Sequence, residues 1–515
     1  MAKGRTTPIK VCHVAATTEG ATWMLEQLRE LRQRHQYEVS AIVATGDGAL
    51  LRKLEAEHIP YHQFDFSFPV AGMGISALTR VLKLAELFRR ERYDIVQSHL
   101  FDSMVLSRLA AWLADVPIRL TMIAGPYHLE AHTPQWIDVS TWWMQTALLP
   151  SCQYTQTLYE QAGVPTRRLH LVYYGPDESK FDSASVTPSL IRQEYGWSDD
   201  TPLVGMVAYF YPVLFASRWT PPKLHNRANK RQEDLVAAAP RILEAFPDAR
   251  FVLVGSGWGE PGQQQIERVR QQIRDLGLEE QIKLTGFRTD VNNILKTLDV
   301  SVQASLSENL GGTIESLLME SPTVATRTGG MVDAVVDGKT GVLVEPAAPD
   351  SLADGIITLL ADRAQARAYG VAGRQWMLEK FTLACTVDRL DEVYRTYLDR
   401  RRGYSAFAGF SRGFIALFVF SYLAARLFWD ITSGYRENLR ARWRSLSIAG
   451  PRRFILGLPR LIVDTIVDGI KRSARWLWLR PLYIYGYIRH LLRGTAALRQ
   501  WDIFFARIRG RQPPT

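Results

Sequence analysis

Short apolar runs, each about the length of a buried strand, alternate with stretches of helical periodicity, and the whole alternation occurs twice. Between residues 9 and 173 the runs are I-K-V-C-H-V, V-S-A-I-V-A, D-I-V-Q-S, I-R-L-T-M-I and L-H-L-V-Y, with amphipathic stretches such as 75–89 and 103–114 between them. Runs that are apolar on both faces belong in a parallel sheet covered by helices on each side. The pattern restarts between 203 and 345 with L-V-G-M-V-A, F-V-L-V-G, I-K-L-T-G, D-V-S-V-Q, P-T-V-A-T and G-V-L-V-E. Leu235, Ala239, Ile242, Leu243 and Phe246 share one face of an intervening helix. The predicted class is therefore α/β, with two doubly wound domains in tandem. Ligands of such sheets bind outside the carboxyl ends of the strands, so the two rims face each other across a cleft.

A length of 515 residues agrees, because single cores stop growing at roughly 250–300 residues. The expected boundaries are 1–185 for the first domain, 200–385 for the second and 386–402 for a closing helix, with a hinge near 175–200. Residues 363–400 as a whole read as helices closing the second domain. Hydrophobic residues at 47% and charged residues at 22% exclude general disorder. Cys12, Cys152 and Cys385 are far apart and odd in number, which excludes a disulfide framework and fits a reducing compartment. The N-terminal segment has no secretory pattern.

The last 115 residues differ from the rest. They hold 21 basic and 5 acidic side chains, a balance of +16, which leaves −6 for the body. Twenty of their residues are aromatic, and 20 of the 21 bases are arginine. The longest uncharged run, 413–425, has 13 residues, short of the roughly 20 needed to span a bilayer. Apolar stripes (Phe454, Leu458, Leu461; Leu498, Trp501, Phe505, Ile508) run opposite arginines. Residues 403–515 thus read as amphipathic helices lying in an anionic membrane surface, with a dip or span at 403–425 left open. Nucleic acid would not require the stripes, and no nucleic-acid partner is expected.

The most informative segment is 305–330, S-L-S-E-N-L-G-G-T-I-E-S-L-L-M-E-S-P-T-V-A-T-R-T-G-G. A strand runs into a loop holding Glu308, and Gly311 and Gly312 then open a helix containing Glu315. Unpaired amides at Asn309, Leu310, Gly311, Gly312 and Thr313 suit a diphosphate, which glycines let approach closely. Glu315 can accept from two vicinal ribose hydroxyls and Glu308 from a sugar hydroxyl. Taken alone, a capped turn explains these residues equally well.

The segment resembles the donor motif of glycosyltransferase family 4, two glutamates with seven residues between them; here only six residues, 309–314, lie between Glu308 and Glu315, one short. The continuation P-T-V-A-T-R-T-G-G-M-V-D-A-V-V-D-G-K-T-G-V-L-V resembles that family too, as does Y-G-P-D-E-S-K-F at 174–181. The resemblance implies a GT-B fold, two Rossmann-like domains across a cleft. It also implies a lysine and an arginine on the donor diphosphate after the first strand of the second domain. Lys230, before R-Q-E-D-L, matches the lysine. Arg227 is the choice for the arginine and Arg218 the alternative, both in a long insertion.

In the first domain the family's glycine-rich loop corresponds to T-T-E-G-A-T-W, making Glu19 and Gly20 candidates. His128 matches a family histidine near the reacting sugar; His99 also closes a strand facing the cleft. Glu308, His128 and Lys230 are therefore the expected catalytic set. Glu315, residues Asn309 to Thr313, Arg227, Gly20 and Glu19 are the expected donor-binding set. No metal cluster or Asp-x-Asp is visible, and no cofactor is expected beyond a nucleoside-diphosphate sugar as substrate. The resemblance implies a retaining transferase without an obligatory metal; with the tail holding it peripherally on the cytoplasmic face of the cytoplasmic membrane, a saccharide or lipid-linked acceptor is expected. A nucleotide-sugar epimerase and an inactive membrane scaffold are the alternatives.

Overall fold

The protein is represented by a computed structural model that describes residues 8–66 and 75–399. The tail reading over 403–515 lies outside the described residues. Two six-stranded parallel sheets form the body. The first contains β1 (Lys10–Ala15), β2 (Glu38–Ala44), β3 (Tyr61–Phe64), β4 (Ile95–His99), β5 (Ile118–Ile123) and β6 (Ala147–Pro150) in the order β3-β2-β1-β4-β5-β6. The second contains β7 (Leu203–Val207), β8 (Arg250–Val254), β9 (Ile282–Gly286), β10 (Val300–Gln303), β11 (Thr323–Thr326) and β12 (Val342–Val344), ordered β12-β11-β10-β7-β8-β9. Both sheets have the same doubly wound order, with the switch point between β1 and β4 in one and between β7 and β10 in the other. The register places Val14 between Ile42 and Ser98, and Ser301 between Gly205 and Thr323.

The central strands are buried on both faces, as their unbroken apolar runs require. Val11, Val14, Val204 and Val302 are fully buried, each contributing about 1.5–3 kcal/mol by leaving water. Helix Gln232–Ala245 buries Leu235, Ala239 and Ile242, with Leu243 and Phe246 packed at the margin, as the periodicity predicts.

Two expectations need correction. The run L-H-L-V-Y (169–173) is not a strand. It lies beside β6 through a Leu148–Leu169 bridge and amide bonds from His170 to Leu148 O (3.0 Å) and Val172 to Pro150 O (2.9 Å). Pro150 has no N–H to return, so no ladder develops. The helical region 363–400 does not close the second domain throughout. Helix Leu383–Leu398 crosses back, and its Leu383, Val387, Leu390, Val393 and Tyr394 join the first domain's core with Val11, Leu28 and Leu120. The linker is tied to the same helix, Gly175 N–H donating to Thr386 Oγ1 (2.9 Å).

Candidate active site

The loop after β10 is fixed before any ligand arrives. Asn229 clamps it reciprocally: Ser307 N–H donates to Asn229 Oδ1 (2.9 Å) and Asn229 Nδ2 donates to Ser307 O (2.8 Å). Thr326 and Thr328 on the next crossover donate to Ser305 O (2.6 Å) and Leu306 O (2.9 Å). Two glycines make this packing possible. Gly311 has φ +51°, and a Cβ there would lie 3.0 Å from Glu308 Cδ. Gly329, at φ +53°, passes so close that a Cβ would fall 1.8 Å from Glu308 O.

On this scaffold Lys230 is ion-paired with Glu308, the two side chains being 15% and 16% exposed. Ser305 Oγ donates to the same carboxylate at 3.1 Å, and the Asn309 amide at 3.3 Å. Burial opposes the lysine's charge, yet Glu308, Tyr211 and Glu315 together hold its proton more tightly than usual. Glu315, in the first turn of helix Thr313–Leu318, is different. Burial raises its carboxyl above the ordinary value, with only Lys230 opposing, and it accepts no side-chain hydrogen bond among the described residues. A partly buried, unbonded carboxylate beside a cation has unused acceptor capacity.

The amides predicted for the diphosphate divide into two groups. Thr313 N–H turns to Leu310 O (3.3 Å) and Asn309 N–H to Glu308, whereas those of Leu310, Gly311 and Gly312 have no partner among the described residues. Asn309 also meets the first domain, its Oδ1 accepting from Ser151 Oγ at 3.0 Å. The Leu310 side chain is core, packed with Ile314 and Leu317. Arg227 is exposed, its carbonyl accepting from Leu214 N–H (3.1 Å). Arg218 is drawn to the first domain, its guanidinium 3.0 Å from His132.

In the first domain His128 is held from behind. Its Nε2 lies 3.1 Å from Asp138 Oδ2, and its ring packs 5.6 Å from Phe101. Asp138 is fully buried, accepts from the Tyr159 hydroxyl and forms an ion pair with Arg108, whose Nη1 lies 2.7 Å from Oδ1 and donates to the Asp138 carbonyl and Thr141 Oγ1. Although burial alone would raise the Asp138 carboxyl, Arg108 and His128 hold it far below the usual range. A bond from the imidazole to a fixed carboxylate sets ring orientation and leaves Nδ1 for other partners. His99 does not face the cleft. It is buried in a network with His13 (3.3 Å), Gln97 (3.3 Å) and Tyr174 (2.7 Å), and burial followed by the neighbouring His13 lowers its proton affinity well below normal. Glu19 and Gly20 form an exposed turn before helix Thr22–His35, in which Gly20 (φ +64°) and Ala21 (φ +46°) are both left-handed. Ala21 thus adopts a backbone conformation that a second glycine would adopt more easily.

Sequence reasoning missed Asn229, Asp138 and Arg108. Each acts through a neighbour folded against it. Only the Asn229-Lys230 adjacency gave any signal.

Residues 19–175 match the glycosyl transferase 4-like domain and residues 214–362 the group 1 glycosyl transferases, together more than half of the chain. The chain belongs to the group 1 glycosyltransferases and has their GT-B fold. It is 25% identical over 358 residues to the putative glycosyltransferase EpsD of Bacillus subtilis, covering 66% of this chain and 87% of that one. A GDP-mannose-dependent alpha-(1-6)-phosphatidylinositol monomannoside mannosyltransferase of Mycolicibacterium smegmatis is 28% identical over 251 residues, 47% of this chain and 60% of that one. Among solved structures, the Anabaena protein Alr3699/HepE in complex with UDP and glucose superposes with a TM-score of 0.59 at 21% identity, covering 75% of this chain and all of that one.

Proposed function

We propose that this glycosyltransferase moves a sugar from a nucleoside diphosphate to a saccharide or lipid-linked acceptor with retention of anomeric configuration. The observation that carries the reading is the grouping of Lys230, Glu308 and Glu315 beside three unpaired amides at 310–312. The amides and Lys230 take the diphosphate, Glu308 a hydroxyl of the donor sugar and Glu315 the ribose diol. As the bond from the anomeric carbon to the diphosphate oxygen breaks, Lys230 offsets the charge that develops on the leaving group. The acceptor oxygen bonds to the anomeric carbon on the face being vacated, and its proton passes to the departing diphosphate oxygen. In this reading no step uses a metal. His128, oriented by Asp138, lines the sugar side.

The acceptor class rests on the tail's composition and on the mannosyltransferase relative, whose name specifies a phosphatidylinositol mannoside. No described helix is long and apolar enough to cross a membrane. We place the chain peripherally on the cytoplasmic membrane face, held by 403–515. The test is turnover of a nucleotide-sugar panel with membrane extract, followed by mass spectrometry of the lipid fraction. A lipid product one sugar heavier supports the reading. Donor consumed with no acceptor product, yielding an epimerised nucleotide sugar, overturns it.

A further inference from the structure

The insertion 209–231, between β7 and helix Gln232–Ala245, docks on the first domain. Arg218 O accepts from the Thr133 amide at 2.8 Å, and Lys223 forms an ion pair with Glu130. The other Glu130 oxygen accepts from Ser307 Oγ at 2.6 Å. Lys223 also reaches Thr328 Oγ1 at 3.4 Å and lies 5.8 Å from the centre of the Tyr154 ring. Burial and the Glu130 charge push the Tyr154 phenol well above its usual range. The Glu130 side chain is 7% exposed and that of Lys223 33%, so the carboxylate is largely removed from water; Lys223 and Ser307 reach it from the other domain and the Tyr154 hydroxyl from its own.

The chain neighbours of these groups show what the contact joins. Glu130 ends the short helix Tyr127–Glu130, two residues after His128, and Ser307 directly precedes Glu308. One carboxylate thus connects the element carrying His128 to the loop carrying Glu308. We propose that Glu130 is a positioning residue for sugar transfer: by holding Ser307 and Lys223, it sets the separation of His128 and Glu308 across the cleft. The inference rests on the roles given to those two residues above. A buried carboxylate that loses its cation is strongly disfavoured, so the pair keeps the two domains in register. Glu130 is not among the groups assigned to the donor, so it should act on the geometry of the reacting atoms rather than on nucleotide binding.

The test uses the full chain with Glu130→Gln, Lys223→Met, the double variant and Ser307→Ala. UDP and GDP affinities come from calorimetry. Turnover is nucleoside diphosphate released from a panel of UDP- and GDP-sugars with membrane extract, and thermal unfolding checks the fold. Each of the first two variants should lower kcat about tenfold or more, since small misplacements of reacting groups are costly. The double variant should be no worse than the worse single, because the pair acts as a unit. Nucleotide affinity should stay within about twofold of wild type. Wild-type kcat in the singles, multiplicative losses in the double, or affinity falling in step with kcat would each overturn the inference. If Glu130→Gln unfolds, Ser307→Ala decides: a loss of kcat at unchanged melting temperature supports the role, and full activity refutes it. A wild-type chain that turns over no nucleotide sugar defeats the donor reading first and this inference with it. An active wild type with indifferent Glu130 variants defeats this inference alone.

Discussion

Lys230 and Glu308 neutralise each other across the mouth of the second sheet, one leading into helix Gln232–Ala245 and the other on the loop after β10. Both are largely shielded from water, so each would be costly to leave alone. In the function proposed above, a diphosphate would give the lysine a second anion and a sugar hydroxyl would give the glutamate a new donor. On that proposal the pair is a preformed cradle in which ligand groups would replace internal ones.

If the lysine acts, as proposed, on charge that grows as the sugar departs, Lys230→Ala should lower kcat by about a hundredfold or more while changing KM much less. Steady-state release of nucleoside diphosphate measures both. A normal kcat with only a raised KM would mean that Lys230 merely binds the donor. The same assay with EDTA should show undiminished turnover, and loss of activity on chelation would refute the metal-free step.

Truncation after Arg400 should release the protein from membranes and leave nucleotide affinity intact. It removes the +16 tail and its aromatic stripes, leaving a body of −6. Salt screens the electrostatic part alone, so high salt should loosen full-length protein only partly. Complete release by salt would mean a purely electrostatic contact, and resistance to carbonate a spanning segment near 403–425. A truncated chain that still sediments with membranes would move the anchor to the first domain.

Much of this architecture was legible in the sequence because the central strands are buried on both faces, and such runs read clearly without knowing their partners. Ile118–Ile123 and all six runs of the second domain lie where periodicity placed them. The edge strands of the first sheet were not legible. Tyr61–Phe64 is half polar and Ala147–Pro150 ends in proline, both permitted only where one side needs no partner. For the candidate site, Glu308, Glu315 and Lys230 stood out because their positions match the family's donor motif and their residue types suit a nucleoside diphosphate. Asp138, 10 residues from His128, and Glu130, 177 residues from Ser307, acquire meaning only when the chain is folded. The turn at Gly20 shows the opposite limit, since Ala21 adopts the left-handed backbone without the residue that usually signals it.

Asp138→Asn should destabilise the first domain by roughly 3–5 kcal/mol at neutral pH, because it leaves the fully buried Arg108 without its counter-charge. Asp138 has a folded pKa below its ordinary 3.8, so its contribution is present above that value and lost as pH falls through the depressed folded one. The gap between wild type and variant in urea unfolding should accordingly be full at pH 7 and shrink in strong acid. His128→Ala, which leaves the Asp138–Arg108 pair in place, should cost much less stability but as much or more activity. Equal stability losses in the two variants would show that His128 is a structural side chain.

Glu315 has the opposite sign. Its folded carboxyl is raised above the ordinary 4.5, chiefly by burial, so the protonated form favours the fold. That stability is fully present below the ordinary value and lost as pH rises through the raised one; at neutral pH the ionised side chain is a burden on the empty protein. Glu315→Gln removes the burden, and Lys230 keeps Glu308 as its partner. The variant should therefore melt about a degree or more above wild type at pH 7 to 8, with the difference closing as pH approaches 4. It should also bind UDP or GDP about tenfold more weakly, since an amide is a poorer acceptor for a ribose diol than a carboxylate. Thermal unfolding across pH and calorimetry measure the two effects on one sample. A variant that melts lower at neutral pH would show that the carboxylate supports the fold, and unchanged nucleotide affinity in a folded variant would remove Glu315 from the donor site. Gain in stability with loss of binding is the signature of a group held in a costly ionised state for its ligand.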